Sequence, residues 1–445
     1  VPAPQKAGVT RRVISWGFML GTLGLMPLIS YGQEKYTVSG YVKDSASGES
    51  MIGANVYIKE LLQGSSTNQY GFYSITVAKG NYHLVISYLG FTDIVKEIDL
   101  TKNIHLNISL EEKVITTGEV VIEAEKQDKN VESAQMGTVK IEVEQIKTLP
   151  AMLGEVDILK TIQMLPGVQS AGEGNSGFYV RGGGPDQNLI LLDEAVVYNV
   201  SHLFGFFSIF NSDAINNIEL IKGGMPANYG GRLASVLDIS MKEGNIKKWA
   251  VEGGIGAISS RLTIQGPIKK DVSSFIVSGR RTYADIYMPL IINNNKKMLS
   301  FKGTSYFFYD LTTKINYKIS DKDRIFASGY FGRDVFNYNQ SNNSFKVKIP
   351  WGNATGSLRW NHLFNEKLFL NTSLIFSDYK FRFEVKQYDF NMIFFSGIMD
   401  YNVKADLSYY PSIRHNIKFG ANYIYHTFTP SSASAKQGDV VFDTG

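Results

Sequence analysis

From Trp249 to the end, the chain alternates aromatic or aliphatic residues with polar ones, segment after segment. This period of two constrains the fold more than any other feature. In NATGSLRWNHLF, Ala354, Gly356, Leu358 and Trp360 alternate with Thr355, Ser357, Arg359 and Asn361. In HNIKFGANYIYHTF, Ile417, Phe419, Ala421, Tyr423 and Tyr425 share one face. Successive side chains of a strand point to opposite sides, so each segment has one apolar and one polar face. After residue 32 no run approaches the ~20 apolar residues of a membrane-spanning helix. Lipid offers the backbone no hydrogen bonds, so only helices and closed barrels cross it. About eight strand candidates with aromatic alternation therefore predict part of a transmembrane antiparallel β-barrel.

The connections give an independent signal. GPIKKD (266–271), SDKD (320–323), NEK (365–367) and PSIR (411–414) read as short polar turns. Longer joins are expected around 286–303, 336–352 and 382–393. Short turns alternating with long loops match the two ends of an outer-membrane barrel. A soluble all-β protein would have no cause for that alternation.

Composition closes several routes. The 45 Lys+Arg against 41 Asp+Glu leave no basic excess for nucleic acid. The absence of cysteine excludes disulfides, thiolate-bound zinc and thiol catalysis. At the start, Arg11-Arg12 precede an apolar run from Val13 to Ile29, and Ser30-Tyr31-Gly32 supplies small residues for cleavage. Residues 1–32 are expected to be a signal peptide. The alternative is a membrane anchor, which Gly17, Gly21, Gly24 and Pro27 weaken as a helix.

Residues 33–111 read as a β-sandwich, with short strands and turn signals every eight to twelve residues. Its pieces VSGYVKDSASGESMIGANVYI and GFYSITVAKGNYHLVISYLGF resemble the carboxypeptidase regulatory-like domain, which implies a seven-stranded sandwich without peptidase activity. No histidine of the chain has Glu three residues on, as a zinc carboxypeptidase would require. Residues 112–145 read as a polar linker with one apolar knot, TTGEVVIEAEK, open to reading as an edge strand or as a docking strand. Residues 146–245 read as a small α+β domain. GEVDILKTIQMLPGV fits a helix with Val156, Leu159 and Ile162 on one face and Pro166 as its stop. Residues 246–445 hold the barrel strands.

No catalytic motif is present. RGGGPD (181–186) lacks the Lys-Ser/Thr ending of a phosphate loop and reads as a sharp turn. GEGNSG is not a nucleophile elbow. The histidines have no metal-ligand spacing, and the carboxylates show no visible partner. Neither enzyme activity, cofactor nor metal is expected.

IELIKGGMPANYGGRLASVLDISMK, with FYVRGGGPDQNLILLDEAVVYN and LPAMLGEVDILKTIQMLPGVQS upstream, resembles the plug domain of TonB-dependent outer-membrane receptors. A regulatory-like sandwich before the plug is similar to the Bacteroidetes-type branch of that family. The resemblance implies a plugged barrel in the outer membrane, surrounded by its lipids, with the sandwich in the periplasm. It implies import of a scarce bulky solute (a metal chelate, a glycan or a peptide), driven by periplasmic TonB and its inner-membrane motor. TGEVVIEA falls where the family carries its TonB box, which assigns TonB binding to Glu119, Val120, Val121 and Ile122. Gly182, Gly183, Gly184, Gly223, Gly224, Gly230 and Gly231, with Tyr229, are expected in tight plug turns. Arg181, Lys222 and Arg232 are candidates for contacts with the lumen wall, or for solvated turn charges.

A surface lipoprotein partner follows from family analogy alone. Two alternatives stay open: a signalling receptor acting through a periplasmic anti-sigma partner, and a non-transporting surface or adhesion barrel. The resemblance also implies about 22 strands around a plugged lumen. The roughly 200 residues after Lys242 supply eight or nine strands and end in polar KQGDVVFDTG, so a receptor truncated within its barrel is expected.

Overall fold

The computed structural model describes residues 34–113, 137–147, 155–172, 176–294, 302–340, 344–438 and 440–443. The proposed signal peptide and Glu119 to Ile122 lie outside the described residues. Residues 35–445 form one compact unit, mainly β, with three parts.

The first part is a sandwich of two sheets. Lys35–Asp44 lies between Phe72–Ala78, antiparallel, and Ile104–His105 with Ile108–Leu110, parallel. The last two segments follow one edge of the same strand and are interrupted at Leu106–Asn107. Gly40 permits that interruption, because a Cβ there would sit 2.0 Å from the Leu106 carbonyl oxygen. Counted as one broken strand, they leave the seven strands that the resemblance implied. The second sheet runs Gln63–Ser66, Asn55–Ile58, Gly80–Ser87, Ile94–Leu100. Val38, Ile58, Ile75, Leu84, Ile86 and Leu100 fill the space between the sheets, each fully buried.

The second part carries a five-stranded sheet in the order Ala195–Val196, Asn188–Leu192, Ser235–Met241, Ile215–Ile221, Thr138–Glu142. The strands of the IELIKGG…SVLDISMK stretch pair antiparallel, Ile218 opposite Ile239. Thr138–Glu142 corrects the linker boundary. It pairs with Ile215–Ile221, Ile141 opposite Ile218, so this sheet starts inside the range 112–145. Val139 and Ile141 face the core there, a two-residue alternation too short to stand out among charged neighbours. The helix is shorter than its periodicity suggests, Ile158–Gln163, because Asp157 accepts from the Leu159 and Lys160 amides and caps it.

The third part is a ten-stranded antiparallel sheet, each strand paired with the next in sequence from Ala250–Ile255 to Val440–Asp443. Its faces are inverted relative to a soluble protein. Ser357 and Ser373 are 6% and 0% exposed, whereas their neighbours Leu358 and Leu374 are 49% and 52% exposed. Thr312, Lys314, Asn316 and Arg359 are buried on the face toward the plug, while Leu311, Ile315, Tyr401 and Val403 point outward. An outward apolar face that costs free energy in water is stable in hydrocarbon. Among the described residues, no helix is long and apolar enough to cross a membrane.

Two of the three expected long joins are corrected. Strands Leu368–Gln387 and Phe390–Ser412 continue through 382–393 and are joined at Tyr388–Asp389 alone. Strands Asp323–Asn339 and Phe345–Asn365 take up most of 336–352. These strands run 17 to 23 residues, about twice the 9–11 that cross a bilayer. At this end the chain projects as paired strand rather than as loop. The first long join instead holds a helix, Ala284–Asn294.

Candidate functional site: the plug against the barrel wall

The predicted plug turns form as the glycines require. Val180 and Gly183 exchange backbone hydrogen bonds of 3.1 and 2.9 Å across Arg181 and Gly182, both at positive φ. Gly223, Gly224 and Gly231 also have positive φ. A Cβ at Gly183 would meet that of Ala234 at 2.3 Å, and one at Gly184 would meet the Asp186 carboxylate at 2.7 Å. Gly230 has open space around it. Tyr229 donates its hydroxyl to Asp238 at 2.7 Å. Burial raises Asp238, the Tyr229 hydrogen bond pulls it back, and the Glu219 and Glu194 charges push it up again, to about 6.

The three candidate cations stay within the plug. Lys222 is buried and donates to the Pro166 carbonyl at 2.7 Å. Burial and the nearby Arg181 charge hold its pKa below the ordinary lysine value. Arg232 donates to the Gly231 carbonyl at 2.9 Å, and the exposed Arg181 guanidinium lies over Gly223. The contacts with the wall are made by other residues and run in both polarities: plug carboxylates meet wall cations at one clamp, and a plug histidine meets wall carboxylates at another.

One clamp is built on a two-residue hairpin. Asp193 and Glu194 join Asn188–Leu192 to Ala195–Val196 with φ of 47° and 71°, left-handed values that are uncommon outside glycine. The turn drives both buried carboxylates at the wall. Asp193 lies 2.9 Å from Arg359 and 3.1 Å from Lys314, and accepts the Met241 amide at 3.0 Å. Glu194 accepts from Asn371 at 3.0 Å, from Ser373, and from Tyr70 of the sandwich at 3.1 Å.

A second clamp centres on His202, 1% exposed and stacked on Phe308 at 4.0 Å with the rings parallel. Nδ1 is 2.7 Å from Asp334 and Nε2 is 2.8 Å from Asp310. Carboxylates only accept, so both ring nitrogens carry protons and the ring is an imidazolium. Burial alone would lower its pKa, but the Asp310 and Asp334 charges and hydrogen bonds outweigh burial and raise it to about 9. Asp310 also takes a two-pronged contact from Arg280, at 2.9 and 2.6 Å, and the Tyr330 hydroxyl at 2.7 Å. Arg280 continues to Glu155 of the plug at 3.3 Å and to the Ser208 carbonyl at 2.8 Å. Every charge in this chain has an opposite neighbour, which is what makes burial tolerable.

Further contacts extend the seam. Arg261 bonds Asp213 at 2.7 Å, Asn211 donates to Ser278 at 2.8 Å, and Asn353 donates to the Asn199 carbonyl at 2.6 Å. Tyr198 donates to Asp400, which also holds His426 at 2.7 Å. The sequence carried one usable clue to this seam: Lys314, Arg359 and Arg280 sit at polar-phase positions of strands, where a lumen-facing charge needs a partner. Among the described residues, no group of three or more His, Asp or Glu is placed to hold a metal ion.

Residues 38–122 match the CarboxypepD_reg-like domain family, and residues 132–236 match the TonB-dependent Receptor Plug Domain family. TonB-dependent receptor P26 of Formosa agariphila is 29% identical over 222 residues, 46% of this chain and 21% of that protein. Among solved structures, FpvA of P. aeruginosa bound to pyoverdines aligns with 69% of this chain and 45% of its own, at 10% identity and a TM-score of 0.49. BauA, the ferric preacinetobactin receptor of Acinetobacter baumannii, aligns with 69% of this chain and 49% of its own, at 12% identity and a TM-score of 0.45. The chain thus spans about a fifth of the curated relative and about half of these solved receptors. Residues 38–122 and 132–236 thus form a regulatory-like sandwich followed by a plug domain like that of TonB-dependent receptors, with a polar-faced sheet clamped to that plug.

Proposed function

We propose that the protein imports a scarce, bulky solute (a metal chelate, a glycan or a peptide) across the outer membrane, with energy delivered by periplasmic TonB. The observation that carries this reading is the seam itself. A domain meant only to block a pore could be packed with apolar side chains. Here Asp193, Glu194, His202, Asp213 and Glu155 hold the plug through ion pairs and hydrogen bonds. Such contacts can be exchanged for water as the plug moves, whereas a dry apolar core resists partial opening.

The outer membrane has no nucleotide supply, so force must arrive through a protein. Glu119 to Ile122, outside the described residues, are proposed as the segment that TonB engages by strand addition. Residues 1–32 would direct export, and the sandwich would face the periplasm. The deciding experiment deletes Thr116–Lys126 in the native protein and measures solute uptake and outer-membrane abundance together. Lost uptake at unchanged abundance supports energised import. Unchanged uptake overturns it and favours a passive or adhesive barrel.

A further inference from the structure

Tyr41, Tyr70 and Phe72 belong to the sandwich yet stand apart from its own core. They are buried with Phe326, Leu363, Phe369 and Tyr410, wall residues next to the short turns at 319–322, 366–367 and 413–414. Tyr70 stacks on Phe369 at 5.5 Å, and Phe72 stacks on the same ring at 5.4 Å. From the wall side, Ile413 reaches the sandwich core. The wall face toward the plug is rich in polar residues, and this aromatic rim at its short-turn end calls for a cover. Left in water, four large apolar side chains would raise the free energy of the open mouth.

The same sandwich turn also reaches the plug. The Tyr70 hydroxyl donates to Glu194 at 3.1 Å, and the Gln69 amide donates to Asp238 at 2.9 Å. Glu194 is the carboxylate that Asn371 and Ser373 hold, and Asp238 is the one that Tyr229 holds. Sandwich, plug and wall therefore meet at Glu194, and sandwich and plug meet again at Asp238. We propose that the sandwich is a second closure: it stoppers the short-turn mouth of the barrel and is keyed to the Asp193–Glu194 hairpin through Tyr70, so that leaving the mouth and loosening the plug are one event.

Hydrogen–deuterium exchange on the intact receptor tests this without TonB or solute, so its failure would leave the import reading standing. Tyr70→Phe keeps the ring and removes the hydroxyl's bonds to Glu194 and to Arg359 of the wall. It is expected to raise exchange at residues 190–197 about tenfold, the effect of losing one hydrogen bond to a buried charge. Phe369→Ala alters the wall and leaves the sandwich core whole. It is expected to raise exchange both at the sandwich turn 67–71 and at 190–197, while strand 72–78 stays protected. A turn freed by Phe369→Ala with 190–197 unchanged in both variants would overturn the coupling. No change at 67–71 would overturn the stopper itself.

Discussion

At the level of single residues, the structure separates charges that set the plug in place from charges that merely decorate its turns. His202 is the sharpest case. Its folded pKa, about 9, lies above the usual histidine value of 6.5. The stabilisation it gives is therefore complete below pH ~6.5 and is lost as pH rises toward 9. Plug release by urea, followed by the fluorescence of Trp351, which is stacked on Tyr306 beside Phe308, should need less denaturant at pH 9.5 than at pH 6. In His202→Gln this pH dependence should vanish: the plug should be loosened by ~3 kcal/mol at pH 6, since Asp310 and Asp334 lose the cation between them, and by clearly less at pH 9.5, where the native ring has lost its charge. Equal pH dependence in both proteins would contradict the imidazolium assignment. Asp193→Asn makes the converse test at the other clamp: Arg359 and Lys314 would stay buried without their carboxylate, at a cost of about 3 kcal/mol in the same assay. Lys222→Met should leave plug docking unchanged, because its ammonium ends on the Pro166 carbonyl inside the plug.

At the level of elements, glycine spacing and strand alternation were legible, and partners across domains were not. The turns at 180–184 and 223–231 follow from local sequence, because positive φ and close approach leave few alternatives to glycine. The Asp193–Glu194 hairpin has no glycine, so LILLDEAVV reads as one continuous strand; only the wall cations show why two acids occupy left-handed positions. The strand ends at 382–393 were hidden for a related reason. Arg382, Lys386 and Gln387 read as a loop, yet paired strands that leave the membrane need no apolar face. One position joins strand geometry to the seam. Gly332 faces the plug, and a Cβ there would fall 2.7 Å from the Asp310 carboxylate and closer still to the Tyr330 hydroxyl. Gly332→Ala should displace the Tyr330–Asp310 contact and destabilise plug docking by about 1–3 kcal/mol. Gly329→Ala, with no heavy atom nearer than 3.4 Å, should be nearly silent in the same measurement.

At the level of the whole molecule, the account rests on one inversion: the wall hides polar side chains against the plug and shows apolar ones to its surroundings. A cysteine-free chain makes this directly measurable. Single cysteines placed in turn from 371 to 377 and from 400 to 404 can carry a nitroxide in native outer-membrane preparations. Power-saturation spectroscopy then compares collision with oxygen, which concentrates in lipid, and with a water-soluble nickel chelate. The account predicts an oxygen signal with a period of two, high at 374, 376, 401 and 403 and low at 373, 375, 400 and 402. Equal access of both reagents along either strand, or a period set by the chelate at the outward positions, would show that this face meets water and would contradict the membrane-spanning wall.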